Sequence, residues 1–238
     1  MDIYFAVLNF TLSGAIGLVG LLTFTKVSTP REVVFASLPL LFALHQFTEG
    51  FVWLGVSGHI EQRALELAAG IFIYYAQGVL PFLVPLAIWL IEKDGYRKKI
   101  LGILSLLGLS LAVYTMYGLA IVPSSVTVVN DTLSYTNPWT KNIYDATIYI
   151  LTTCGALMLS SSIAVSLFGL LNLIGLTIIF LLRPYGFTSL WCLYSAAISG
   201  LLYFHFLERR IKFLQDLKAK SEEFSEKFNN ELESLSKR

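Results

Sequence analysis

Residues 143–160 read IYDATIYILTTCGALMLS and residues 161–182 read SSIAVSLFGLLNLIGLTIIFLL. Asp145 is the only charge in the whole run. The run is too long for one helix, because about 20 residues cross the hydrocarbon core of a bilayer. Ser160-Ser161-Ser162 is the natural break, so the run divides into spans at about 143–161 and 165–182. That division sets the count of spans for the chain.

Working outward, the same reading places spans at about 3–25, 31–57, 66–91, 100–121 and 187–208. Thr29 and Glu32 have capping-box spacing with Pro30 between them, so span two starts sharply. Pro81 and Pro85 predict a kink in span three. Residues Glu92 to Lys99 read as a loop. The polar stretch 123–142 is the longest connection and suits a short hairpin. The expected fold is all-α: an integral membrane bundle of seven transmembrane helices over 1–208, followed by a charged helical tail over 209–238.

Composition agrees. The chain has 238 residues, of which 55% are hydrophobic and only 14% charged. A soluble domain carries nearer a quarter charged residues. The net charge of +1 makes nucleic acid an unsuitable partner. Cys154 and Cys192 sit in apolar runs without C-x-x-C spacing, which reads as buried small residues and not as a zinc or redox motif. The start, Met1-Asp2-Ile3-Tyr4, has no basic region before the apolar stretch and reads as a retained span.

Basic residues give the orientation. Lys26, Arg31, Lys93, Arg97, Lys98 and Lys99 fall on the side of the tail, against Arg63, Lys141 and Arg183 on the other. The reading is a multi-pass protein of the cell (inner, cytoplasmic) membrane with its N-terminus outside and its C-terminus in the cytoplasm.

In the tail, Leu207, Ile211 and Leu214 form an apolar edge that Leu217, Phe224, Phe228 and Leu235 continue, with Glu and Lys between them. A long amphipathic helix of this kind is either an arm for a second copy (a homo-oligomer) or a cytoplasmic protein partner, or a helix lying on the membrane.

Charged and polar groups within spans are costly and therefore mark candidate sites. Span two carries His45, Gln46, Glu49 and Trp53. His45, Glu49 and Trp53 are four residues apart and share a helical face. Glu49 lies roughly 12 Å from the outer end of its span, and Gln77 roughly 16 Å from its own, with Tyr74 one turn above. The expected ligand-binding pocket is His45, Gln46, Glu49, Trp53, Tyr74 and Gln77 in the outer half, with Tyr144, Asp145 and Lys141 at its mouth. A carboxyl beside an imidazole suits an ion, a proton or a small cation. The opposing reading is a hydrogen-bonded pair that only joins helices. His205 and Asn172 form a possible second polar site near the inner face.

His45 and His205 differ in depth by roughly 15 Å, beyond the reach of shared metal ligation. Seven-helix zinc hydrolases such as the alkaline ceramidases and adiponectin receptors take histidines from spans two and seven, but this chain lacks their paired His-x3-His in span seven. Span seven also has no lysine for a retinal Schiff base. No cofactor is expected, and no metal ligand set is assigned.

One resemblance stands beside this reading. Thr29-Pro30-Arg31-Glu32, Phe35 to Ala43, Gln46 with Glu49-Gly50 and Trp53, Pro85-Leu86-Ala87, and Ser189 to Cys192 through His205-Phe206 resemble an uncharacterised bacterial seven-helix family. Its members typically begin Met-Cys-Phe-Ser-Ala. The resemblance covers nearly the whole membrane region and implies topology but no activity. It picks out Gln46, Glu49, Trp53 and His205. This chain departs from it in its Met-Asp-Ile-Tyr start, in His45 where glutamine is common, and in lacking basic residues between spans five and six. The leading functional expectation is non-catalytic: binding a small ligand or ion for transport or sensing. The alternatives are a lipid-directed membrane hydrolase and a scaffold that recruits a partner through its tail.

Overall fold

The computed structural model describes residues 2–122, 124–139 and 143–236. Lys141, expected near the mouth of the pocket, lies outside them. Helix α1 is Asp2–Phe24. Helix α2, Pro30–Val56, opens with a 3-10 turn. Helix α3 is Gln62–Ile91 and α4 is Gly95–Ile121. Strands β1 (Ser125–Val129) and β2 (Thr132–Thr136) form an antiparallel hairpin. Helices α5 (Ile143–Met158) and α6 (Ile163–Leu182) follow. Helix α7, Phe187–Ser199, and helix α8, Leu201–Ser236, are separated only at Gly200.

The architecture is all-α apart from the hairpin. Among the described residues six helical stretches are long and apolar enough to cross a membrane, and α5 is a shorter apolar helix. The break after residue 158 falls at the serines. The surface is inverted relative to a soluble protein. Leu18, Leu21, Leu106, Val113, Leu167 and Leu181 face outward, while Asn9, Gln46, Glu49, Asn172, Ser195 and Ser199 are buried. Helix α1 packs against α2 through small residues: the Ser13 hydroxyl donates to the Ala43 carbonyl at 2.8 Å, and a Cβ on Gly20 would meet Leu40. Small residues let apolar helices approach closely where no water drives them together.

The expected kink in α3 takes the form of a π-helical turn at Tyr75–Val79, just ahead of Pro81. Pro81 has no N–H to offer Gln77, and the Thr115 hydroxyl of α4 reaches that carbonyl at 3.5 Å. Pro85 likewise leaves the Pro81 carbonyl unpaired within the helix. Gly108 of α4 sits against it so tightly that a Cβ would come within 1.9 Å of that oxygen. Glycine there is a requirement of close approach.

One sequence expectation needs correction. Residues 95–99 are the first turns of α4 and not loop, because Asp94 caps the helix by accepting the Arg97 N–H at 2.8 Å. A break at Gly200 falls inside the expected last span, where the Tyr203 N–H bonds back to the Gly200 carbonyl at 3.1 Å, and α8 then runs unbroken from Leu201 into the tail. Beyond the bundle, Ile211, Leu214 and Leu217 of α8 are exposed.

Connections meet at two ends. At one, Glu32 accepts the Ser28 and Thr29 N–H groups and pairs with Arg209 at 3.0 Å. Glu92, at the same end, accepts the Ser161 N–H at 2.7 Å and the Lys93 and Asp94 N–H groups at 2.9 and 3.0 Å. At the other end, Arg183 donates to the Asn130 carbonyl and Gly186 packs against Thr132. Asn130 and Asp131 form the hairpin turn, both with positive φ.

Burial acts most strongly on Glu92 and pushes its pKa up, but the N–H bonds from Ser161, Asp94 and Lys93 and the Ser161 hydroxyl together outweigh it, leaving the carboxyl below its ordinary value. A depressed carboxyl contributes stability above its unfolded pKa and loses it as pH falls through the folded value. Glu92→Gln should therefore lower stability at neutral pH by about 1–3 kcal/mol. In thermal melts the gap between variant and wild type should close below the ordinary carboxylate range, and a gap independent of pH would refute the role of the charge.

Candidate functional site

Glu49 sits two turns from the C-terminal end of α2 and is buried. Four elements converge on it. Gln46, one turn earlier, donates from its amide both to Glu49 at 3.3 Å and to the Asn9 side-chain oxygen of α1 at 2.8 Å. The Asn9 amide in turn donates to the Phe5 carbonyl at 2.9 Å. The Tyr135 hydroxyl, carried down by strand β2, reaches the other Glu49 oxygen at 3.5 Å. Ser189, in the first turn of α7, lies close to the carboxyl. These partners are all neutral, and no ion pair to Glu49 is present among the described residues.

His45 belongs to the neighbouring layer. Its ring stacks on Phe72 at 3.9 Å and lies 4.6 Å from Tyr75. Phe72 in turn stacks on Tyr135 at 4.5 Å. An aromatic column thus runs from the hairpin into the bundle, beside the carboxyl. Both His45 ring nitrogens, the Gln46 side-chain oxygen and the Tyr75 hydroxyl are buried with no hydrogen-bond partner in the described protein. Buried polar atoms are rarely left so. The cluster therefore offers unpartnered polar atoms beyond the donors that hold Glu49.

The hairpin covers this site because its strands alternate. Leu133 and Tyr135 share one face, Leu133 is fully buried, and it packs with Ala6, Val52, Trp53 and Ala69.

The structure sorts the expected residues as follows. His45, Gln46 and Glu49 are brought together, with Gln46 as the direct partner of Glu49 and His45 directed at α3. Trp53 stacks on Phe5 at 4.6 Å and joins α1 to α2. Tyr74 lines a separate outward groove with Glu66, Leu67 and Met116. The side-chain oxygen of Gln77 is buried without a partner, and its backbone carbonyl faces Thr115. Tyr144 is exposed and Asp145 is partly buried. Asn172 donates to the Phe168 carbonyl and accepts the Ser195 hydroxyl, both at 2.9 Å. His205 packs edge-on against Phe35, and no described contact joins it to Asn172. Among the described residues no three His, Cys, Asp or Glu side chains come together as a metal site. Cys154 and Cys192 are buried and free.

Asn9, Tyr75, Tyr135 and Ser189 are the members that sequence reasoning missed. Asn9 had a usable signal, as the lone amide of an otherwise apolar span. Tyr135 had a weak one in the period-two spacing of Leu133 and Tyr135. Tyr75 and Ser189 had none.

Gln46→Leu removes the donor shared by Asn9 and Glu49. It should destabilise the protein by roughly 1–3 kcal/mol, read from the melting temperature. Gln46→Glu, which keeps the shape, should also destabilise, because it sets a second carboxyl beside Glu49. Melting at the wild-type temperature in both variants would show that this bridge contributes nothing.

A model of a family of unknown function (DUF6629) matches residues 4–216, and the chain belongs to that family. No curated protein and no solved structure matches the chain.

Proposed function

We propose that this member of the DUF6629 family binds a small cationic species, the proton first among them, at Glu49, and that this binding serves transport or sensing across a membrane. One observation carries the reading: a buried carboxyl held only by neutral partners in a bundle whose outer surface is apolar. An uncompensated carboxylate is costly in such a place, so the group gains by taking up a proton or a cation. The unpaired His45, Gln46 and Tyr75 atoms supply further oxygen and nitrogen donors nearby. Small hard cations take oxygen ligands of this kind.

In this reading the bundle crosses the cell membrane seven times with the N-terminus outside. Helix α5 has 16 residues, about 24 Å at ~1.5 Å per residue. That is short for a span, so support for counting it comes from its connections. The loop after α5 bonds to Glu92, at the end where Arg209 meets Glu32. The loop after α6 contacts the hairpin that precedes α5. In intact cells an impermeant maleimide should label Asp131→Cys, and should label Ser161→Cys only after permeabilisation. Labelling of both from the same side would overturn the seven-span topology.

The functional test is Glu49→Gln in proteoliposomes, with an entrapped pH dye and Na+ or K+ gradients as the probes. Proton or cation movement present in the wild type should be lost, with a comparable melting temperature. Undiminished flux in the folded variant would remove Glu49 from the function.

A further inference from the structure

Helices α3 and α4 run antiparallel and touch closely along one half of their length. There Gly108 lies against the Pro81 backbone, and a Cβ on Gly78 would come within 3.3 Å of the Ala112 Cα. The π-helical turn Tyr75–Val79 interrupts α3, and beyond it, toward the hairpin end, the two helices part. An open groove lies between them. Its walls are Leu67 and Ile71 of α3 and Met116 of α4, all exposed. Gly70 and Ala120 keep its floor low. A Cβ on Gly70 would meet nothing within 4 Å.

The two ends of the groove differ. Tyr74 lines one end and Glu66 the other, about 12 Å apart along the helix. Glu66 is in the first turns of α3, where the apolar surface of the bundle gives way to charged residues. Its carboxylate accepts the Gln62 amide at 3.0 Å and has capacity for further donors. Arg63, also exposed, precedes Glu66 by three residues and Leu67 by four. Residues so spaced are neighbours on a helix, about 5–6 Å apart at Cβ. Among the described residues no ion pair takes up either charge. The groove therefore combines an apolar length with a mouth that carries one positive and one negative group.

We infer that this groove binds an acyl chain of a phospholipid with an ethanolamine headgroup, whose ammonium meets Glu66 and whose phosphate meets Arg63. The charges at the mouth select among lipids. A primary ammonium donates N–H bonds to a carboxylate, and a bond of that kind is stronger than one between neutral groups. A choline headgroup carries the same charge but has no N–H to donate. A glycerol headgroup brings the phosphate without a cation and sets its negative charge beside Glu66. The paired charges also favour a lipid over a helix of a second copy, which would need only the apolar walls. The inference rests on the apolar surface of the bundle facing lipid and is independent of the Glu49 reading.

The test is native mass spectrometry of the full chain, delipidated in detergent and offered equal amounts of phosphatidylethanolamine, phosphatidylcholine and phosphatidylglycerol with identical chains. The wild type should retain phosphatidylethanolamine about two- to fivefold over the other two, the scale of an exposed charge pair. Glu66→Gln should bring it down to the level of phosphatidylcholine, and Arg63→Gln should weaken both zwitterionic lipids. Gly70→Leu projects into the groove without a clash, so it should lower retention of phosphatidylethanolamine at an unchanged melting temperature. Equal retention of the three lipids by the wild type would overturn the inference, as would an undiminished ethanolamine preference in Glu66→Gln. The same spectra report oligomeric state. Conversion of a dimer to a monomer by Gly70→Leu, with lipid retention intact, would give the groove to a second copy and overturn the lipid site.

Discussion

Inside an apolar bundle each carbonyl or carboxyl must be paired by another part of the same chain, because no bulk water reaches it. The prolines of α3 make the constraint visible. Pro81 and Pro85 strip two carbonyls of their helical donors. One is met by the Thr115 hydroxyl, and the other lies against the backbone of α4 at Gly108. The same constraint orders the ends of the helices. Glu92 gathers the N–H groups of its own loop and of Ser161, so α3, α4, α5 and α6 are tied at one point. Packing between the spans then needs only small residues and shape, as between α1 and α2.

This constraint also explains what could be read in advance. Spans were legible because length and hydropathy act locally: the Ser160 break, the cap at Thr29 and the proline irregularity each involve neighbouring residues. The start of α4 was misread because the basic residues 97–99 look like loop, although a capped helix can carry them on a solvated turn. The candidate site was legible only in the part lying on α2. Depth along a helix can be counted, but rotation about its axis cannot. Tyr74, counted to a similar depth, lines an outward groove, while adjacent Tyr75 meets His45.

Tyr135 carries the larger lesson. It comes from the most polar connection of the chain and still ends beside the most buried carboxyl. Nothing local to residues 125–136 marks that insertion except the alternation that puts Leu133 and Tyr135 on one face. Its partners, Phe72 and Glu49, come from far earlier in the chain, as the hydrogen bond spanning 86 residues to Glu49 illustrates. A cover built in this way closes over the carboxyl at the hairpin end of the bundle and brings a hydroxyl to it, and the stacked Phe72 and His45 rings lie beside that hydroxyl's ring.

Helix α2 is the element on which these contacts converge. At one end Glu32 holds the start of the tail through Arg209, and two turns from the other end Glu49 meets the hairpin and lies near α7, while Gln46 bonds α1. Between them, Leu38 and Phe42 belong to the main buried apolar core of the bundle. A rigid shift of α2 would therefore alter all three places together. Spatial continuity alone does not establish coupling, but it says where a coupling would have to pass. A change of charge at Glu49 would fall on the helix that also anchors the tail through Glu32.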